Sequence, residues 1–193
     1  MAPYRLRFAQ AKDAAAIRSI YQPYVLNTPV TFEYETPSAD EMKNRMLQIQ
    51  TAYPYLICLN EKGVAGYAYA ARHRERAAYQ WNAELSVYIG KDHQRGGLGR
   101  KMYTALMDIL ALQNVRNVYG CVTLPNPGSE KLHLSMGFSQ CGVYPKTGYK
   151  CGKWHDVAWF EKSIAPHDRD PEPFIPLPAI AQNAVCGILD GVF

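Results

Sequence analysis

Residues 92–103 read DHQRGGLGRKMY, with three glycines and three cations packed into a short loop that runs straight into an apolar-periodic segment. Amides at a helix start lack intrahelical partners and carry the positive end of the helix dipole, so they bind anionic oxygens. Glycines let such oxygens approach the backbone, and Arg95, Arg100 and Lys101 add charge around them. The chemistry on offer is phosphate binding, although Gly96-Gly97 also suits a tight strand-to-helix turn. Two familiar phosphate motifs are absent. GxxxxGK[ST] fails because neither Gly-Lys-Ser nor Gly-Lys-Thr occurs in the chain. A GxGxxG pattern starts at Gly97-Leu98-Gly99 but meets Met102 where the third glycine belongs.

A second charged stretch, Arg72-His73-Arg74-Glu75-Arg76, lies upstream. It suits an anionic ligand, and equally a solvated surface loop. Between the two stretches, residues 83–89 alternate cleanly: Leu85, Val87 and Ile89 on one face, Glu84, Ser86 and Tyr88 on the other.

The elements that position these residues follow from periodicity. Residues 4–9 alternate as a strand, and Asp13 suits the N-cap of a helix through Ile17, Ile20 and Tyr21. Ser38 opens a second helix carrying Met42, Met46 and Ile49. Residues 55–59 and 64–71 form a hairpin about Glu61-Lys62-Gly63. After the glycine loop, Leu98, Met102, Leu106, Ile109 and Leu110 recur at helical spacing. Residues 115–122 read as a strand, and Pro127 suits the first turn of a short helix ending near Met136. Two further strands are expected near 142–144 and 156–160. The order β-α-α-β-β-β-α-β-α-β-β predicts one mixed α/β (α+β) domain over residues 1–164. Residues 165–193 form a proline-rich extension, with Pro171, Pro173, Pro176 and Pro178, expected to be an extended strap rather than a helix. Its apolar end could pack on the body or on a partner subunit.

Composition narrows the function classes. The 193 residues carry a net charge of +4 without a dense Lys/Arg tract, which points away from nucleic acid. Five widely spaced cysteines with no CxxC pair argue against a disulfide framework and a zinc site, so no metal is expected. No apolar run reaches membrane-spanning length and the N-terminus lacks a signal core, so a cytoplasmic protein is expected.

The loop Gln94-Arg95-Gly96-Gly97-Leu98-Gly99, following an amphipathic strand, resembles the acyl-CoA pyrophosphate loop of the GNAT acetyltransferases. Phe32, Ala68-Tyr69-Ala70, residues 78–84, Ser86-Val87-Tyr88, Leu124-Pro125-Asn126, His133, Met136-Gly137-Phe138 and residues 152–156 resemble the phosphinothricin acetyltransferase branch of that family. The likeness spans roughly residues 4–162.

The resemblance implies a mixed, mostly antiparallel sheet flanked by helices and splayed between two parallel strands. It implies acetyl-CoA as cosubstrate and a homodimer. Glu84 is implied as general base. His133 stands where many relatives carry a tyrosine, as base, acid or structural residue. Val87, Tyr88 and Ile89 would offer backbone groups to the acetyl and pantetheine portions, and Arg95, Gly96, Gly97, Leu98, Gly99 and Arg100 would hold the pyrophosphate. Asn126 and Ser129 would meet the pantetheine arm, although an Asn between two prolines also suits a plain turn. Arg74 and Arg76 would bind an anionic acceptor, with Phe32, Tyr69, Tyr79 and Tyr88 as pocket walls. The expected acceptor is a small amino-acid analogue such as phosphinothricin, methionine sulfoximine or methionine sulfone. A polyamine or peptide N-terminus as acceptor, or an inactive CoA-binding regulator, are the alternatives.

Overall fold

A computed structural model describes residues 4–167 and 169–193. Its elements are β1 (Arg5–Phe8), α1 (Ala14–Asn27), α2 (Ala39–Gln50), β2 (Tyr55–Asn60), β3 (Gly63–Arg72), β4 (Asn82–Ile89), α3 (Leu98–Leu112), β5 (Asn117–Thr123), α4 (Pro127–Ser135), β6 (Ser139–Lys150), β7 (Lys153–Ser163) and α5 (Gln182–Asp190). Seven strands form one sheet in the order β1-β2-β3-β4-β5-β7-β6. Every pairing is antiparallel except β4 with β5, which run parallel. This is the expected splayed, mixed sheet. The parallel pair is joined only at Asn82↔Asn117, Ala83↔Val118 and Glu84↔Tyr119, and beyond Glu84 the two strands part.

Strand alternation sorts side chains onto two faces. On one, Ala68, Ala70, Ala83 and Leu85 bury Met102, Leu106, Ile109 and Leu110 of α3. On the other, Ile57 and Tyr67 pack against Ile17, Tyr21 and Val25 of α1 and Met42 and Met46 of α2. The helices start as their residue types dictate. Ser38 Oγ accepts from the Glu41 amide at 3.1 Å to open α2. At α4, Asn126 Oδ1 accepts from the Ser129 amide at 3.2 Å while Glu130 Oε1 accepts from the Asn126 amide at 2.8 Å. Asp13 holds the N-cap position of α1 as expected, at the end of a short 3-10 turn (Ala11–Asp13), but its side chain makes no capping bond to α1; the carboxylate accepts from Arg7 at 2.7 and 2.9 Å and from the Gln10 amide at 2.7 Å.

The C-terminal segment corrects the strap reading. Residues 171–181 are extended apart from one 3-10 turn at Leu177–Ala179, but α5 follows. After Pro178 no further proline interrupts the backbone, and Val185, Ile188 and Leu189 share one helical face. That face joins the core beneath α3, with Val185 only 1% exposed. The strap is tied down as well: Gln113 Nε2 donates to Ala52 O and Ile175 O, and Trp81 Nε1 donates to Glu172 O. β6 and β7 also run far longer than expected. β6 is an edge strand, mostly exposed, with register shifts between Tyr144 and Gly148 that erase simple alternation.

Candidate active site

Glu84 sits at the last paired position of the parallel strands, where the sheet begins to open. Its side chain is 32% exposed, and burial of the remainder raises its pKa above the ordinary carboxylate value. It shares a face with Tyr119, its register partner on β5, and with Ser86 and Tyr88 along its own strand.

Past Glu84, alternation turns the backbone groups of Leu85, Val87 and Ile89 away from β3 and toward the opening. Side chains take two of these positions. Tyr103 Oη donates to Leu85 O at 3.2 Å, and Tyr24 Oη donates to Ile89 O at 2.7 Å. Gln94 Nε2 in turn donates to Tyr24 Oη at 3.1 Å, so one tyrosine clasps α1, β4 and the glycine loop together. Between Leu85 and Ile89, Val87 presents the backbone donor of the opening. The Tyr88 side chain packs on Tyr21, Tyr24 and Tyr67, and Tyr69 stacks on Tyr55 at 5.0 Å.

In the glycine loop the residues separate by job. Gly97 caps α3 with φ +79°, a left-handed conformation costly for any residue with a Cβ. The first helical bond runs from the Lys101 amide to Gly97 O, so the amides of Leu98, Gly99 and Arg100 point outward without helical partners. Gly99 is small for another reason: a Cβ there would press on Leu132 of α4 at 3.3 Å. The three cations do not converge. Arg100 donates to Ser135 O and Oγ at 3.0 and 2.8 Å. Lys101 donates to Val192 O at 2.8 Å and lies over the Phe193 ring at 4.2 Å. Arg95, at φ 64°, is exposed and makes no hydrogen bond or ion pair with another described residue.

His133 lies on the opposite face of the sheet from Glu84. It is 2% exposed, walled by Tyr103, Phe138 and Phe160, and its Nε2 faces Gly120 of β5. Nδ1 stands 2.8 Å from Ser129 O, and a carbonyl only accepts, so Nδ1 carries the proton and Nε2 the lone pair. Burial pushes its pKa down, with the bond to Ser129 opposing. Asn126 and Ser129 are engaged in the α4 cap described above.

Of the residues expected to bind the acceptor, Arg74 and Arg76 are exposed and make no hydrogen bond or ion pair with other described residues, and Tyr79 is 41% exposed. Phe32 comes from the α1–α2 loop and rests on Gly148 of β6, where a Cβ would collide with its ring. Lys150 Nζ holds that loop by donating to Val25 O and Thr31 O at 2.7 and 2.6 Å.

Tyr24, His73, Tyr119 and Trp159 also border this site, beyond the residues that the sequence marks for it. His73 is the one uncharged ring in its charged run and follows Ala71, the register partner of Glu84, by two residues. Extended geometry therefore brings it to the Glu84 face. Its ring stacks on Tyr119 at 4.2 Å, and Trp159 meets it edge-on at 5.5 Å.

Comparison with known proteins agrees with this fold. Residues 6–159 match the family described as the acetyltransferase (GNAT) domain. A phosphinothricin N-acetyltransferase from Streptomyces viridochromogenes is 36% identical over 162 residues, covering 84% of this chain and 88% of that protein. An L-methionine sulfoximine/L-methionine sulfone acetyltransferase from Salmonella typhimurium is 31% identical over 84% of this chain and 95% of that protein. The crystal structure of a phosphinothricin acetyltransferase from Sinorhizobium meliloti in complex with acetyl-CoA superposes with a TM-score of 0.81 at 32% identity, covering 88% of this chain and 96% of that one.

Proposed function

Since the chain belongs to the GNAT acetyltransferase family, we propose that it acetylates the amino group of a small anionic amino-acid analogue, with Glu84 as general base. It is an N-acetyltransferase that uses acetyl-CoA. The acceptor class proposed is that of phosphinothricin, methionine sulfoximine and methionine sulfone. The observation that carries this reading is a partly buried carboxylate at the point where the parallel strands part, with Arg74 and Arg76, exposed and unpaired among the described residues, in the loop that precedes its strand.

The residues suit acetyl-CoA, which supplies an acetyl group activated as a thioester. The outward amides of Leu98, Gly99 and Arg100, ordered by Gly97, would donate to an anionic pyrophosphate, and Arg95 adds an exposed cation. The Val87 amide in the opening is placed to polarise a carbonyl oxygen. Arg74 and Arg76 draw in and orient the acid group of the acceptor, against walls from Phe32 and Tyr79. Arginine at both positions favours a planar, two-oxygen acid group. Glu84 takes one proton from the ammonium form of the acceptor and leaves a nucleophilic amine. Its raised pKa brings it closer to working pH, which improves the match for proton transfer. His133, on the other face, serves by holding α4 at a fixed height over β5, and so the cap at Asn126 that borders the opening.

A thiol-release assay with acetyl-CoA tests the reading across phosphinothricin, methionine sulfoximine, methionine sulfone, polyamines and peptides. Release above background on the amino-acid analogues is expected. Release only on polyamines or peptides overturns the acceptor class, and none at all overturns turnover. The exposed Tyr144, Tyr149 and Trp154 of the β6–β7 hairpin supply surface for the proposed homodimer. Sedimentation velocity reads it, and a monomer at assay concentration refutes it.

A further inference from the structure

Beside Glu84 stands a ring that the reaction as described leaves unused. His73 Nδ1 lies 3.9 Å from Glu84 Oε2, is buried, and has no hydrogen-bond partner among the described residues. Buried polar side-chain atoms are normally satisfied, so an orphan nitrogen aimed at a carboxylate calls for a reason. The ring is not loosely placed. Its side chain is 12% exposed, it lies 12° from parallel with Tyr119, and Trp159 closes its edge at 77°. A plain aromatic would fill this slot equally well by shape, so the two nitrogens are what histidine adds.

We propose that His73 is a positioning residue and proton outlet for Glu84. The inference rests on Glu84 being the base. An ammonium acceptor gives one N–H proton to Glu84 Oε2. The carboxyl passes that proton to the lone pair of His73 Nδ1, which forms an imidazolium. The imidazolium releases its Nε2 proton to water, which leaves the carboxylate restored and the ring as its neutral Nδ1–H tautomer; proton exchange with water, one proton gained at Nε2 and one lost from Nδ1, returns the starting tautomer before the next turnover. One proton leaves the acceptor and one reaches solvent. The 3.9 Å separation exceeds a hydrogen bond, and a small χ rotation of Glu84 or one intervening water closes it.

The surroundings favour such an exchange. Desolvation lowers the pKa of His73, with Arg74 adding to the effect, and desolvation raises that of Glu84. The two therefore approach one another from opposite sides, which is the condition for a proton to move either way at little cost. Among the described residues, the groups around the pair are Arg74 from the same loop, Tyr69 from β3, Tyr103 from α3, Tyr119 and Cys121 from β5 with Glu161 beside Tyr119, and Trp159 from β7. Arg74 alone among them is a fixed cation, and an anionic acceptor bound to it would neutralise it. Substrate binding would then ease protonation of His73 at the moment when the proton arrives.

The test pairs kinetics with a titration. In His73→Phe, which keeps the stack on Tyr119, kcat is expected to fall at least about tenfold with the KM for acetyl-CoA within twofold. The deficit should shrink toward alkaline pH, where the acceptor arrives already deprotonated. A wild-type pH profile in His73→Phe, or a loss uniform at every pH, overturns the proposal while leaving Glu84 as base. Full activity in Glu84→Gln overturns the base itself. Independently of any acceptor, NMR titration of the His73 ring in wild type and in Glu84→Gln reads the coupling directly. Loss of the carboxylate should lower the His73 pKa, and an identical titration in both overturns the proposal. Should His73→Phe fail to fold, His73→Gln and the titration decide.

Discussion

The Nε2 of His133 lies where a Cβ on Gly120 would have to sit, so neither residue can grow without displacing the other. This contact locks α4 onto β5 at the rim of the strand opening. The glycine is needed here for close approach, since its φ is not in the left-handed region.

Gly120→Ala is expected to destabilise the fold by about 1–3 kcal/mol through overpacking. His133→Ala in the same chain should recover part of that loss. Urea denaturation of both singles and the double mutant reads the coupling. Simple additivity would contradict the contact.

Glu84→Gln should slow turnover by roughly 100- to 10,000-fold, the usual contribution of a positioned base, with acetyl-CoA affinity by calorimetry nearly unchanged. Intact turnover would remove Glu84 from the chemistry. A parallel loss of cofactor affinity would place it in the cradle instead.

The raised pKa of Glu84 has a sign that can be checked in two ways. With Glu84 as the proposed base, turnover requires its carboxylate form, so the acid limb of kcat/KM should fall at a pH above the ordinary carboxylate range. Stability runs oppositely: a carboxyl whose folded pKa is raised favours the fold at low pH, and that contribution is lost as pH rises through the folded pKa. Glu84→Gln should therefore have the higher Tm at neutral pH, with the difference fading in acid. A lower Tm at neutral pH would mean that Glu84 is stabilised by partners rather than strained by burial.

Gly97→Val places a branched residue at φ +79°, a conformation costing about 1–2 kcal/mol. The outward amides of α3 depend on that turn. Acetyl-CoA binding should weaken about 5- to 30-fold, that penalty expressed in Kd, with the acceptor KM unmoved. A pure effect on the acceptor would contradict the assignment.

Deleting residues 182–193 should forfeit at least roughly the 1.5–3 kcal/mol that burying Val185 alone contributes. It also frees Lys101 from Val192 and Phe193. Thermal unfolding measures the loss, and an unchanged Tm would show that α5 is not part of the core.

Much of this arrangement is legible in the chain. The alternation of residues 83–89 places Glu84 on a polar face, and the glycines mark a strand-to-helix turn, because both signals are local. What escaped is non-local. Arg100 and Lys101 read as cradle cations, yet their partners are Ser135 and Val192, far along the chain. The α5 helix was masked by the prolines before it. His73 could be placed beside Glu84 only from the register joining β3, β4 and β5, which no spacing within RHRER reveals.

The edge-on contact between Trp159 and His73 carries a practical consequence. Protonated imidazole quenches indole emission, and the neutral ring does so far less. Trp81 is tied to Glu172 and Trp154 lies at the exposed hairpin end, so Trp159 is the indole seated against this ring. The protein thus holds its own optical gauge for the charge state of the site, open to stopped-flow recording during a single turnover without any added label.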